Sequence, residues 1–181
     1  MIRAPLTWIR ARLGRFRGDE AGTSTIEFVI VFPVFAFLLC SAAESGILML
    51  RQVMLDRAVD LAVRDLRLQS FPDVTHDQVK TRICDEATVI PDCTNAVLVE
   101  MRQVDKGATL PSTNAPCVDR AASAQSATTF TQGKDNQMML IRACAVFDPL
   151  FPGSGLGLDL AKDATGAYAL ISTSAFVVEP S

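Results

Sequence analysis

The sequence predicts an α+β fold, with a long N-terminal transmembrane and amphipathic helix followed by a small extracytoplasmic domain of a short helix and an antiparallel sheet of three or more strands. Three observations predict this fold. Residues from Phe28 to Ala43 form an apolar stretch, helical spacing of apolar residues then continues to Gln69, and later segments alternate apolar and polar residues as strands do. With 181 residues, the chain has room for one compact domain and an appendage.

The composition of the chain narrows the classes of function. Hydrophobic residues make up 49% of the chain and charged residues 20%, and the mean hydropathy is +0.26. Such a chain is more apolar than a typical soluble domain, which indicates that part of it lies in lipid. The formal net charge of −3 leaves no basic surface for neutralising phosphates, so nucleic-acid binding is not expected.

Residues 1–22 are predicted to form a basic cytoplasmic leader, because arginines outnumber acidic residues there. The arginines are Arg3, Arg10, Arg12, Arg15 and Arg17. Residues 23–50 are predicted to form a transmembrane segment, since Phe28 to Ala43 spans about 24 Å as a helix and Ile47 to Leu50 adds the remainder of a ~30 Å slab. The positive-inside rule then places the N-terminus in the cytoplasm and residues from 51 onward outside.

Two other interpretations of the apolar stretch stay open. It can be a buried core helix, although its length and the flanking arginines favour a membrane span. It can also be a secretory signal cleaved after Ala43, because Ser41 and Ala43 are small residues at the cleavage positions. Helical patterning that continues past Glu44 argues against a signal. A lipoprotein is not expected, because no small residue precedes Cys40.

Glu27 lies at the start of the apolar stretch, where a carboxylate is costly. Insertion scales give about 2.5–3.5 kcal/mol for an acidic residue at mid-helix and less near the interface. Cleavage after Gly22 would supply a partner, because it would leave a positively charged α-amino group on Thr23, one helical turn before Glu27. The alternative is that Glu27 sits in the headgroup layer and complements the helix macrodipole. Pro33 either kinks the helix or is a proline that the membrane helix tolerates.

These residues resemble the N-terminal motif of the TadE-type (TadE or TadF) pseudopilins of tight adherence (Flp) pilus systems. The resemblance rests on Gly22, the Glu27-Phe28 pair, the early Pro33 and the Glu44-Ser45-Gly46 sequence. It extends weakly to the C-terminal half, where Leu140 to Val146 leads into a loop rich in proline and glycine and then a final apolar strand.

The resemblance implies a minor pseudopilin that acts in assembly of a tight adherence (type IV-like) pilus. It implies cleavage by a prepilin peptidase between Gly22 and Thr23, with Glu27 and Phe28 as assembly and recognition residues. The implied partners are that peptidase, other pilins or pseudopilins, the assembly platform and the membrane. The implied location is the bacterial inner membrane, with one span and a periplasmic domain. Entry into the pilus and the choice between the TadE and TadF types are left open.

Beyond the membrane, residues 51–70 are predicted to continue the helix, so that one helix runs from about Thr25 to Gln69, and residues 71–181 are predicted to form the periplasmic domain. Thr75 and Gln78 match a capping box, so a short helix is expected from His76 to about Ala87, with His76 exposed in its first turn. Period-two patterning predicts strands at 96–104, 137–147 and 167–178. An antiparallel meander packed on the helix is the economical arrangement of these strands.

For Glu44 and for a glycine-rich stretch, the sequence favours a structural role over a functional site. Glu44 lies about 26 Å beyond Glu27 along a helix axis, so an interfacial carboxylate at the outer edge of the membrane is favoured over a contact between subunits. The Gly153-Ser154-Gly155-Leu156-Gly157 sequence is expected to be a turn, because it lacks the glycine spacing and the lysine of a phosphate-binding loop.

The cysteines divide between the apolar stretch and the outer domain. Cys40 lies in the apolar stretch and is expected to act as a small hydrophobe. The other four lie on the outer side, where disulfides persist. Four cysteines allow three connectivities, of which we favour pairing in sequence order, Cys84 with Cys93 and Cys117 with Cys144. Free thiols and zinc are the competing interpretations, but no CxxC pair is present for zinc.

No enzymatic function, cofactor or metal is expected. A hydrolase needs a nucleophile and a base, and the single histidine, His76, has no motif around any serine to join it. Asp148, Asp159 and Asp163 show no diagnostic spacing. The alternative to a pilus function is a single-span or secreted periplasmic domain with an unrelated binding function.

Overall fold

The computed structural model confirms the α+β class. It describes residues 23–69, 74–105, 117–118, 129–153, 156–163 and 165–180. The elements in chain order are α1 (Thr23–Arg67), α2 (His76–Glu86), α3 (Cys93–Ala96), β1 (Val97–Gln103), β2 (Met138–Phe147), α4 (Leu156–Asp159) and β3 (Tyr168–Val177). The long helix, the short helix and the three strands all lie within two residues of their predicted bounds.

The helix α1 runs without a break for 45 residues, about 67 Å, and passes through Pro33. Arg64 and Arg67 lie in its last turn, where positive charge complements the negative end of the helix dipole. Gln69 then adopts a left-handed conformation, with φ of 49°, which ends the helical path. The segment predicted to span the membrane and the amphipathic segment therefore form one helix, as the periodicity predicted.

The helix α2 begins at the predicted capping box. Thr75 Oγ1 accepts a hydrogen bond from the backbone N–H of Gln78 at 3.3 Å. The side-chain Oε1 of Gln78 accepts one from the backbone N–H of Thr75 at 3.1 Å. Val79 and Ile83 are buried in the core. Arg82 joins α2 to α1 through Asp65, at 2.8 Å, and this hydrogen bond is the main cause that raises the pKa of the guanidinium.

The sheet is an antiparallel meander with the strand order β1-β2-β3. Val97 pairs with Ala145 in the first ladder, and Met138 pairs with Val177 in the second. One face of the sheet covers the outer half of α1 together with α2. The largest fully buried apolar side chains of this core are Leu55, Val59, Val79, Ile83, Val97, Val99, Met101, Met139 and Ile141. The outer half of α1 is thus the core helix of the domain.

The opposite face of the sheet carries a smaller cluster and a buried ion pair. Leu98, Val146 and Ala167 pack with Val118 on this face. Arg142 in β2 is almost fully buried and donates to Glu100 of β1 at 2.9 Å. A buried arginine needs such a partner, because an unpaired charge in the interior is strongly destabilising.

Both disulfides follow the favoured pairing in sequence order. Cys84 of α2 is bonded to Cys93 of α3, and Cys117 is bonded to Cys144 of β2. The free-thiol and zinc interpretations of these four cysteines are therefore wrong. Cys40 is a free cysteine that lies in the apolar stretch of α1, as expected.

Two details of the domain differ from prediction. His76 is half-buried and not exposed, because its ring packs edge-to-face on Phe130, with centroids 5.6 Å apart. Phe130 is held there by a bridge to Met101 of β1, a contact that local sequence does not reveal. The glycine-rich stretch expected to be a turn contains the short helix α4 from Leu156; Ser154 and Gly155 lie outside the described residues.

Candidate functional site

The first half of α1 presents an uncovered apolar surface. No residue of its most apolar 18-residue stretch is buried against the rest of the protein, and the mean hydropathy of that stretch is 2.4. The exposed large apolar side chains of this half are Ile26, Phe28, Val29, Ile30, Val31, Phe32, Val34, Phe35, Phe37, Leu38 and Leu39. The interpretation as a buried core helix is therefore wrong. The helix is long and apolar enough to serve as a single-pass membrane anchor.

Glu27 is exposed within this surface, in the second turn of α1. The ring of Phe28 stacks on that of Phe32 one turn later, with centroids 5.0 Å apart. Thr23 is the first helical residue, so the backbone positions of Thr23 and Glu27 stand one helical turn apart. Gly22, the predicted cleavage residue, lies outside the described residues.

Glu44 lies at the other end of the apolar stretch, and it is buried by contacts that the sequence interpretation did not include. Glu44 is only 1% exposed. Its two carboxylate oxygens accept hydrogen bonds from the backbone amides of Leu150, at 3.2 Å, and Phe151, at 3.0 Å. A buried carboxylate is tolerated when such donors satisfy it. Glu44 therefore fastens the loop after β2 to α1 and does not lie open at the membrane surface.

Gly157 in α4 allows this short helix to pack closely on the loop that Glu44 binds. A Cβ atom placed on Gly157 would overlap the carbonyl oxygen of Phe151, and it would lie 3.6 Å from the Cβ of Pro149. The α4 backbone therefore packs directly on the loop that Glu44 holds. We refer to Glu44, Leu150, Phe151 and Gly157 as the Glu44 latch.

Replacing Gly157 with alanine is expected to destabilise the latch by about 1–3 kcal/mol. The added methyl group meets backbone that cannot rotate away, and this cost exceeds the gain in helix propensity. Hydrogen exchange of the Leu150 and Phe151 amides measures the effect. Gly153→Ala is the matched control, because nothing lies within 4 Å of a Cβ there. Equal amide protection in the two variants would contradict the packing role of Gly157.

Two turns after Glu44, α1 is joined to the ends of the central and last strands. Arg51 donates to the Tyr168 hydroxyl at 3.0 Å, and its guanidinium lies 4.6 Å from the centre of the Phe147 ring. Gln52 donates to the Ile171 carbonyl oxygen at 3.2 Å. These contacts and the Glu44 latch fix the position of the sheet along the α1 axis and its orientation around that axis.

One of the carboxylates considered for catalysis, Asp163, has a structural role in a turn. Asp163 Oδ1 accepts from the amides of Thr165, at 2.8 Å, and Ala167, at 3.0 Å, and so shapes the turn before β3. His76 Nδ1 lies 3.0 Å from Asp77. Among the described residues, no group of three potential ligands stands close enough to hold a metal ion.

Sequence reasoning names Glu27 as a candidate, which stays a prediction, and it missed the contacts of Glu44. The two partners of the Glu44 bonds are separated from it by more than a hundred residues, and they are backbone amides that carry no sequence signal. One available signal is that Glu44 is the sole acidic residue between Glu27 and Asp56. An acid in such a stretch needs donors from elsewhere in the chain.

The comparisons with known proteins support the interpretation of α1. Residues 22–64 match a family model described as TadE-like protein. The match covers nearly all of α1 and contains both Glu27 and Glu44. It confirms the resemblance to TadE-like proteins over these residues. No curated protein and no solved structure matches the chain.

Proposed function

We propose that this chain is a minor pseudopilin that acts in assembly of a tight adherence pilus. The observation that carries the proposal is the family-matched helix α1, whose first half leaves its apolar side chains uncovered around the acidic Glu27. A helix of this kind needs lipid or other helices around it, because so large an exposed apolar surface is unfavourable in water. Lipid surrounds it before assembly and neighbouring subunits surround it in the filament.

The proposed topology has one span in the bacterial inner membrane. The arginines of residues 1–22 keep the leader in the cytoplasm, residues 23–50 cross the bilayer, and residues 51–70 continue the helix outside. Residues 71–181 form the periplasmic domain, whose two disulfides suit an oxidising compartment.

The proposed maturation step is cleavage of the Gly22–Thr23 peptide bond by a prepilin peptidase. The new α-amino group on Thr23 is cationic below a pKa of about 8. It lies one helical turn from Glu27 in the same chain, and in parallel neighbours that are staggered along a filament it can meet the Glu27 of another subunit. The pair offsets the cost of a carboxylate in an apolar layer.

Assembly would exchange lipid contacts of α1 for contacts with helices of other pilins or pseudopilins at the assembly platform. Lipid tails and apolar side chains are about equally hydrophobic, so this exchange has little driving force by itself. The Thr23 ammonium and Glu27 carboxylate would therefore set the register of the helices as much as their affinity.

The N-terminus of the chain recovered from pilus-producing cells tests the proposal. We expect a start at Thr23, and we expect Gly22→Ala to abolish this processed form while Gly18→Ala, a matched change in the same leader, leaves it unchanged. A start at Glu44 would instead support ordinary secretion. An intact Met1 would support a simple membrane anchor with an unrelated function.

A further inference from the structure

Three large apolar side chains are exposed on the latch side of the domain. Leu150, Phe151 and Leu158 are 45%, 36% and 59% exposed. Glu44 holds the backbone of the first two against α1, and Leu158 follows Gly157, which packs on the Phe151 carbonyl. The three side chains therefore share one compact surface beside Glu44, which we call the apolar tip.

The height of this tip along α1 follows from the helix rise. Glu44 lies about 26 Å from Glu27, and the hydrocarbon layer is about 30 Å thick. With Glu27 at the cytoplasmic boundary, Glu44 is still inside the outer boundary of the hydrocarbon. Met49 and Leu50, about one and a half turns further along α1, are also exposed apolar residues. The loop that is bonded to Glu44 therefore lies at the depth of the outer leaflet.

We propose that the apolar tip enters the outer leaflet and gives the domain a second membrane contact beside α1. This inference rests on the membrane anchoring proposed above. The loop then encloses the Glu44 carboxylate on the side where lipid would otherwise meet it. Asp148 and Asp159, which border the tip and are exposed, keep the insertion shallow, because their carboxylates stay in the headgroup layer.

Continuity with the membrane span favours lipid over a protein partner. The tip joins the uncovered apolar surface of α1 at Glu44, so the same bilayer covers both without a new interface. The opposite end of the domain differs in its chemistry. Its exposed apolar residues, which include Leu68 and Val177, lie beside the exposed ion pair of Arg67 and Glu179. That end is about 35 Å from Glu44 along α1, beyond the reach of the bilayer.

Site-specific probes on the full chain in vesicles of phosphatidylethanolamine and phosphatidylglycerol test the inference. In a Cys40→Ala background, an environment-sensitive fluorophore is attached to Leu150→Cys or Leu158→Cys. Val34→Cys reports on the span, and Leu68→Cys is the matched exposed leucine at the far end of the domain. Quenching is measured with nitroxide-labelled lipid and with aqueous iodide. Leu158→Trp in a Trp8→Phe background, with brominated lipid, repeats the measurement without added cysteines.

We expect the tip probes to be quenched by lipid nitroxide several-fold more than the Leu68→Cys probe, and by iodide several-fold less. If Val34→Cys is quenched by lipid while the tip probes behave as Leu68→Cys does, the inference is wrong and the anchor stands. Protection from both quenchers would mean that a second copy covers the tip, which also overturns the inference. A Val34→Cys probe that lipid does not quench would overturn the anchor itself.

Discussion

Replacing Glu44 with alanine is expected to lower the free energy of unfolding of the domain that packs on α1 by about 2–4 kcal/mol. The change removes the acceptor of two charge-assisted hydrogen bonds, each worth about 1.5–3 kcal/mol, from a side chain that is 1% exposed. The two bonds share one carboxylate and are not additive, so the total is expected to be smaller than the sum of the two bonds.

Hydrogen exchange at the amides of Leu150 and Phe151 gives a local measurement of the same effect. We expect protection at both amides to fall by about tenfold or more, because each 1.4 kcal/mol corresponds to a factor of ten in the opening equilibrium. Glu44→Gln is expected to fall between the native chain and Glu44→Ala, because the amide keeps one acceptor and places a donor against the second N–H. Asp60→Ala, an exposed acid on the same helix, is the control with a change within about 0.5 kcal/mol. Native protection in Glu44→Ala would contradict the latch.

The Glu44 latch bears on the proposed function because it couples the proposed membrane span of α1 to the domain. The helix α1 belongs to both, since its first half is uncovered and its second half is the core helix of the domain. A movement of α1 along its axis or around it must therefore carry the sheet with it. If α1 spans the membrane as proposed, we expect the position of the domain outside it to follow the register that Glu27 is proposed to set within it.

The elements of the fold were predictable because their signals are local. The capping box of Thr75 and Gln78 fixes the start of α2 within four residues of chain. Alternation of apolar residues marks each strand, since one face of the sheet must pack on α1. The end of α1 was placed two residues late, at Gln69, because apolar spacing persists through Leu68 although the last helical residue is Arg67 and Gln69 is left-handed.

The tertiary contacts were less accessible from sequence. The pairing of Cys117 with Cys144 was favoured only by chain order, and its confirmation gives no general rule. The environments of Glu44 and His76 were misjudged for one shared reason. Each is set by a segment that is distant in sequence, the loop at Leu150 for one and Phe130 for the other. Local patterns carry no information about such partners.

Replacing Glu27 with glutamine is expected to abolish or strongly reduce surface pili while leaving cleavage at Thr23 intact. The amide removes the charge that the proposed Thr23 ammonium would meet, and helix exchange from lipid to filament has little other driving force. Glutamine keeps the size and the helical preference of glutamate, so α1 itself should persist. Surface pili are counted by electron microscopy, and the N-terminus is read by mass spectrometry of the same cells.

Two comparisons make the Glu27 experiment decisive. Asp60→Asn removes one negative charge from the exposed surface of the same helix, and we expect normal pili and normal processing in it. Glu27→Asp keeps the charge on a shorter side chain and should restore part of the pilus count. Normal pili in Glu27→Gln would show that the carboxylate acts only as a headgroup-layer acid at the helix start. Loss of cleavage in Glu27→Gln would instead place Glu27 in recognition by the peptidase, and the register role would then lose its support.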